Sequence, residues 1–279
     1  MTKEFAEING IKICYEVKGE GEPLFLVHGF GATKEDWIAQ FDVLAKHFKV
    51  VRFDNRGAGE SDRPDEPYEM DMFADDIAGL MDHLEIDKAH VIGWSLGGMI
   101  VQTFVLKYPE RVKKVVLINT LPKWPGDEQG IEMYKNSQIE KYNKKMEDPK
   151  DAFFMGAKMS YSRKFRKKME ENPDKEFYGL FSAQDLIDIT AENPSRPQDI
   201  KNQAHALANY DVYDDLPDID KEVLILAAEK DRQTPKIMNE MIQKQIPNSK
   251  LAVFEKVGHA SPREKAPEIN EKIVDFLNN

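Results

Sequence analysis

From residue 23 onward the chain alternates continuous apolar runs with stretches of helical spacing. The runs are PLFLVHG (23–29), VVRFD (50–54), HVIGW (90–94), VVLINT (115–120), VLILAAEKD (223–231) and LAVFEKV (251–257). A run of this kind that alternates little between apolar and polar residues is a strand buried on both faces, the situation in a parallel sheet covered by helices. The helical stretches place their apolar residues three and four apart. Trp37, Phe41, Leu44 and Phe48 predict one helix over 37–48, and Phe73, Ile77, Leu80, Met81 and Leu84 another over 73–84. Helices are also predicted over MIVQTFVLKYP, KIMNEMIQKQI and PEINEKIVDFL, the last two opened by Pro235 and Pro267. Ahead of this pattern, FAEI and IKICYEV alternate more and read as an antiparallel hairpin turning at Asn9-Gly10.

The alternation breaks once. From about Pro122 to Ala208 no strand is legible, and Met155/Met159 and Phe165/Met169 fall at helical spacing. The segment 122–208 is therefore expected to be a helical insertion, or lid, in a core made of 1–121 and 209–279. Its aromatic and sulfur side chains (Phe153, Phe154, Met155, Phe177, Phe181) either line an apolar pocket or form the insertion's own core. The basic run from Arg163 to Lys168 reads as a solvated helix face.

A net charge of −11 argues against nucleic acid or an anionic membrane as a partner. Cys14 is the one cysteine, so no intrachain disulfide forms, and it reads as a buried strand residue. No His/Cys cluster suggests a metal. The start, MTKEFAEINGIKICYEV, carries no apolar leader, so the chain is expected to be cytoplasmic, as a monomer or homodimer.

Against this frame VIGWSLGGMI (91–100) acquires meaning. Gly93-Trp94-Ser95-Leu96-Gly97 sits between a predicted strand and a predicted helix, the context that exposes a serine on a tight turn. Asp231 follows the strand VLILAAE, and His259 follows the last strand after Gly258. Both lie at carboxyl ends of strands, where open parallel sheets bind ligands. Read alone, Asp231 is also a helix cap, and Glu229 is its nearest rival. Of the other histidines, His47, His83 and His90 read as surface or packing residues, His205 as a weak candidate, and His28 as a loop support. HGFG (28–31) supplies backbone amides for the charge that acyl transfer builds on a carbonyl oxygen, and the expected donors are Phe30 and Leu96. Beside them, Trp94 and Gly29 are the expected substrate contacts.

HGFG, DNRGAGESDRP (54–64), GWSLGG (93–98), KDRQTP (230–235) and GHASP (258–262) together resemble the α/β-hydrolase superfamily over nearly the whole chain. That resemblance implies an eight-stranded, mostly parallel sheet with its second strand antiparallel, flanked by helices, with a helical cap inserted after the sixth strand. It implies a loop shaped by Asp54, Arg56, Gly57 and Gly59, in which Ser61 is no second nucleophile. The expected activity is cleavage of a small carboxylic ester by Ser95, His259 and Asp231, without metal or organic cofactor. The motifs look most like carboxylesterases and 3-oxoadipate enol-lactonases, and carbon–carbon hydrolases share the parts. A small-molecule receptor on the same fold is the reading from a different class.

Overall fold

The computed structural model describes residues 3–279. Eight strands form one sheet: β1 (Glu4–Ile8), β2 (Ile11–Lys18), β3 (Pro23–Val27), β4 (Lys49–Phe53), β5 (Ala89–Trp94), β6 (Val112–Ile118), β7 (Glu222–Ala228) and β8 (Ser249–Phe254). Their spatial order is β1-β2-β4-β3-β5-β6-β7-β8. β2 runs antiparallel to both β1 and β4, and every other pairing is parallel. The hairpin at Asn9-Gly10 therefore forms as the sequence reads.

The continuous apolar runs have a direct explanation. Successive side chains of a strand point to opposite faces, and both faces of this sheet are covered. In β3, Phe25 and Val27 enter one apolar layer while Leu24 and Leu26 enter the other, all without solvent exposure. β6 and β7 divide in the same way, with Leu117 and Ile225 on one side and Val116 and Leu226 on the other. β8, at the sheet's edge, keeps only Phe254 buried.

The helices of the first half are α1 (Phe41–Leu44), α2 (Met70–His83) and α3 (Leu96–Lys107). Between β6 and β7 come α4 (Glu128–Glu147), α5 (Pro149–Ser160), α6 (Arg163–Glu171), α7 (Ala183–Glu192) and α8 (Pro197–Ala208). The chain closes with α9 (Lys236–Gln245), α10 (Ser261–Glu264) and α11 (Ala266–Asn278). Along the 122–208 segment the only extended pairings among the described residues are isolated bridges at Lys123 and Phe177. α6 buries Phe165 and Met169 and pairs Arg166 with Glu170 and Lys167 with Glu171 on its solvated side.

Two sequence expectations need correction. The single helix over 37–48 is a 3-10 turn, Lys34–Trp37, followed by the four-residue α1. Trp37, Phe41, Leu44 and Phe48 are all buried as their spacing demands. The helix breaks between them at Gln40, whose amide donates to the Pro262 carbonyl at 2.7 Å and to Asn270 at 3.1 Å. The run VVLINT does not stay extended to residue 120. β6 ends at Ile118, and Asn119 turns to φ 46°.

Cys14 is fully buried in β2, and burial pushes its thiol up to about 12. Ser61 accepts from the Cys14 amide and donates to the Asp54 carbonyl, so it belongs to the loop's framework. In the same loop Asp54 pairs with fully buried Lys34 at 2.9 Å, and Arg56 pairs with Asp76 at 2.7 Å. No helix of the described residues is long and apolar enough to cross a membrane.

Candidate active site

Ser95 stands between β5 and α3 with φ 59° and ψ −121°. A side-chain-bearing residue in the left-handed region costs on the order of 1–3 kcal/mol and persists only where its surroundings enforce it. Here they do. The Ser95 amide donates to the Ile118 carbonyl at 3.0 Å, and Thr120 Oγ1 donates to the Ser95 carbonyl at 2.8 Å. The flanking glycines permit the turn. A Cβ on Gly93 would lie 2.2 Å from the Gly97 carbonyl oxygen, and one on Gly97 would lie 2.0 Å from that of Val27. β3, β5 and α3 thus approach at distances that only glycine allows.

Asp231 and His259 follow β7 and β8, and the structure brings them together. His259 Nδ1 lies 2.7 Å from Asp231 Oδ2. Thr234 Oγ1 donates to the same oxygen at 2.7 Å, while the amides of Gln233 and Thr234 donate to Oδ1 at 2.8 and 3.0 Å. Burial raises the Asp231 carboxyl, but the His259 charge and these hydrogen bonds outweigh it and hold the group below the usual aspartate value. Asp231 is therefore both a turn-capping residue and the partner of His259. Glu229, the rival carboxylate, accepts from the Lys256 amide and takes no part.

The His259 backbone is anchored as well. Its carbonyl accepts from Asn119 Nδ2 at 2.8 Å and from Trp94 Nε1 at 3.2 Å. Asn119 also donates to Ser261 at 2.8 Å and accepts from the Ala228 amide at 2.9 Å, tying the ends of β6 and β7 to the loop after β8. Ser95, His259, Trp94, Gly29 and Phe30 line one cavity of about 270 Å³. No hydrogen bond joins Ser95 Oγ to the imidazole among the described residues. With Nδ1 held by Asp231, Nε2 is the nitrogen left to face a proton donor.

The Phe30 and Leu96 amides donate to no other described backbone group. Leu96 is the first residue of α3, whose leading amides have no partner within the helix and carry the positive end of its dipole. His28 supports the loop as read from the sequence. Its Nε2 accepts from the Asn55 amide at 3.0 Å, and its Nδ1 lies 2.9 Å from the Gly29 carbonyl. His83, His90 and His205 bond to Tyr15, Glu22 and Glu69, away from the cavity, and His47 is exposed.

Other lining residues were not singled out by sequence reading. α4 contributes a stripe through Tyr134, Gln138, Lys141 and Lys145. Their three- and four-residue spacing was visible, but a stripe so polar carries no burial signal. Arg263 was also missed. It binds Asp36, reaches the Tyr161 hydroxyl at 3.3 Å and lies over the Trp94 ring at 5.2 Å. Of the five aromatic and methionine residues named above, only Phe153 lines the cavity. Phe177 and Phe181 pack in the apolar layer beneath, and Met155 is exposed.

A family model described as the alpha/beta hydrolase fold matches residues 22–266. The chain is 29% identical to a putative non-heme chloroperoxidase of Synechocystis sp., covering 96% of this chain and 95% of that protein. Its fold matches an enol-lactonase from Burkholderia xenovorans with a TM-score of 0.84 at 22% identity, covering 99% of this chain and 100% of that one. It also matches a thermophilic esterase from Thermogutta terrifontis with a TM-score of 0.82 at 24% identity, covering 100% of this chain and 98% of that one. With the sheet order, the turn at Ser95 and this match over most of its length, the chain belongs to the α/β-hydrolase family.

Proposed function

We propose that the protein is a serine hydrolase of small carboxylic esters, working through an acyl-enzyme on Ser95. The observation that carries this reading is the buried His259–Asp231 hydrogen bond at the rim of the cavity that Ser95 enters. His259 Nε2 takes the Ser95 proton as Oγ attacks the ester carbonyl. Asp231 fixes the ring through Nδ1 and stabilises the imidazolium. The Phe30 and Leu96 amides receive the oxyanion. As the tetrahedral intermediate collapses, the C–O bond to the alcohol breaks and His259 returns the proton to the departing oxygen. Water then enters, gives a proton to Nε2 and attacks the acyl carbon, and release of the acid restores Ser95. Trp94 and Gly29 border the acyl group, and the helical segment 122–208 closes the site as a lid over the 1–121 and 209–279 core.

A cavity of about 270 Å³ is at the small end for ligand sites and suits short acyl chains. Turnover of p-nitrophenyl acetate, butyrate and decanoate tests the proposal. The short esters are expected to be hydrolysed with kcat/KM well above that of decanoate. Tight binding without turnover of any of them would instead support the receptor reading.

A further inference from the structure

The cavity that Ser95 lines carries charge that ester cleavage alone does not require. Three cationic side chains, Lys141, Lys145 and Arg263, border it against one carboxylate, Asp36. This is a net-positive wall in a chain whose own net charge is −11. Arg263 and Asp36 are committed to each other. Asp36 also accepts from the Thr33 amide at 2.8 Å, so it has little left for a lysine. Lys141 and Lys145, one turn apart on α4, are the cavity charges that form no ion pair among the described residues. Ser195 adds a second sign of an unmet polar requirement. It lines the same cavity, is 5% exposed, and its Oγ has no hydrogen-bond partner among the described residues.

Resting on the esterase reading above, we propose that this wall binds a carboxylate. The preferred substrate is then an ester carrying a second, free carboxylate remote from the scissile bond, held by Lys145 with Lys141 beside it. The geometry of α4 sets the spacing. Tyr134, at the near end of the stripe, meets the Phe30 ring edge-on at 5.2 Å, beside the oxyanion turn. Lys145 lies eleven residues further along, about 16 Å on the helix axis, and its side chain leans back toward Tyr134. A linear diacid monoester of six carbons puts about 6 Å between its two carboxyl carbons, leaving the rest of that interval to the lysine side chain and its hydrogen bond. Burial lowers the Lys145 ammonium below the ordinary lysine value, Asp36 opposes that shift, and Lys141 adds to it. Lys141 keeps solvent on one side, yet crowding by protein lowers it too. An incoming carboxylate would relieve both.

The test compares monomethyl adipate with dimethyl adipate, which differ at the far end by one methyl group and one charge. In the native protein kcat/KM for the monoester is expected to exceed that for the diester by on the order of ten-fold, as for one charge-assisted hydrogen bond, mainly through KM. The ratio should shrink in 0.5 M salt and collapse toward one in Lys141→Met/Lys145→Met, while Lys145→Arg retains it. A native ratio of one, or a ratio unchanged in the double variant, would overturn the proposal. If neither ester is hydrolysed, the esterase reading fails on these compounds, and calorimetric titration with free adipate decides the anion site separately. Binding weakened at least ten-fold in the double variant upholds it, and equal or absent binding overturns it.

Discussion

At the scale of single residues the site is a set of strained and buried groups that hold one another. Ser95 keeps a backbone conformation that costs energy, and two hydrogen bonds with the end of β6, one donated by its amide to Ile118 and one accepted from Thr120, hold it there. If Ser95 is the nucleophile, Ser95→Ala is expected to lower kcat by roughly six orders of magnitude without loss of folding, as removal of the nucleophile does in serine triads. An esterase assay on the purified variant checks this. Asp231→Asn is expected to cost about 10⁴ in kcat by leaving the imidazole in the wrong tautomer. It also has a stability signature. The Asp231 carboxyl titrates below its unfolded value, so its contribution is full above about pH 4 and is lost as pH falls through the lower folded value. Urea unfolding should therefore show the native protein's advantage over Asp231→Asn at pH 6 and a smaller one below about pH 4. A gap that widens on acidification contradicts the assignment. Ser95, Asp231 and His259 were legible because each sits at a strand end that the sequence marks. Asn119, Thr234 and Arg263 were not. Their roles depend on contacts such as Asn119 to the His259 carbonyl, 140 residues away, which no local pattern announces.

At the scale of elements, two helices show how differently the same chain builds its parts. α3 buries ten of its residues between the sheet and its neighbours, from Leu96 to Val105. α4 is longer and buries only Ile131. Local opening follows buried contacts, so α4 amides should exchange with deuterium well before those of α3. Equal protection of the two by hydrogen-exchange mass spectrometry would show that α4 is as fixed as α3. The close approach of α3 to β3 makes the opposite prediction for a small change. Gly97→Ala places a methyl against the Val27 carbonyl, which cannot retreat without opening the sheet. A loss of about 2–3 kcal/mol in urea unfolding is expected. The strand runs and α2, α3 and α11 were readable because apolar periodicity set them. The 37–48 stretch carries helical spacing because all four apolar residues face the core, yet the backbone turns over 38–40 between the 3-10 turn and α1, which spacing does not reveal.

At the scale of the whole molecule, the sheet order places the ends of β5, β7 and β8 along one edge, although their residues lie far apart in the chain. That placement turns three short motifs into one site, and the helices between β6 and β7 wall it in. A parallel sheet covered by helices on both faces was foreseeable from the alternation of runs and helices, whereas its eight strands with the second antiparallel followed only from the family resemblance. The cavity's polar wall was not foreseeable, because α4 gives no burial pattern to read. The proposed chemistry requires that Ser95 become acylated. Labelling the native protein with a fluorophosphonate, followed by intact-mass and peptide analysis, tests it directly. One adduct is expected, on Ser95, absent from Ser95→Ala and formed far more slowly in His259→Ala. An adduct on another residue, or none on the folded native protein, would contradict it.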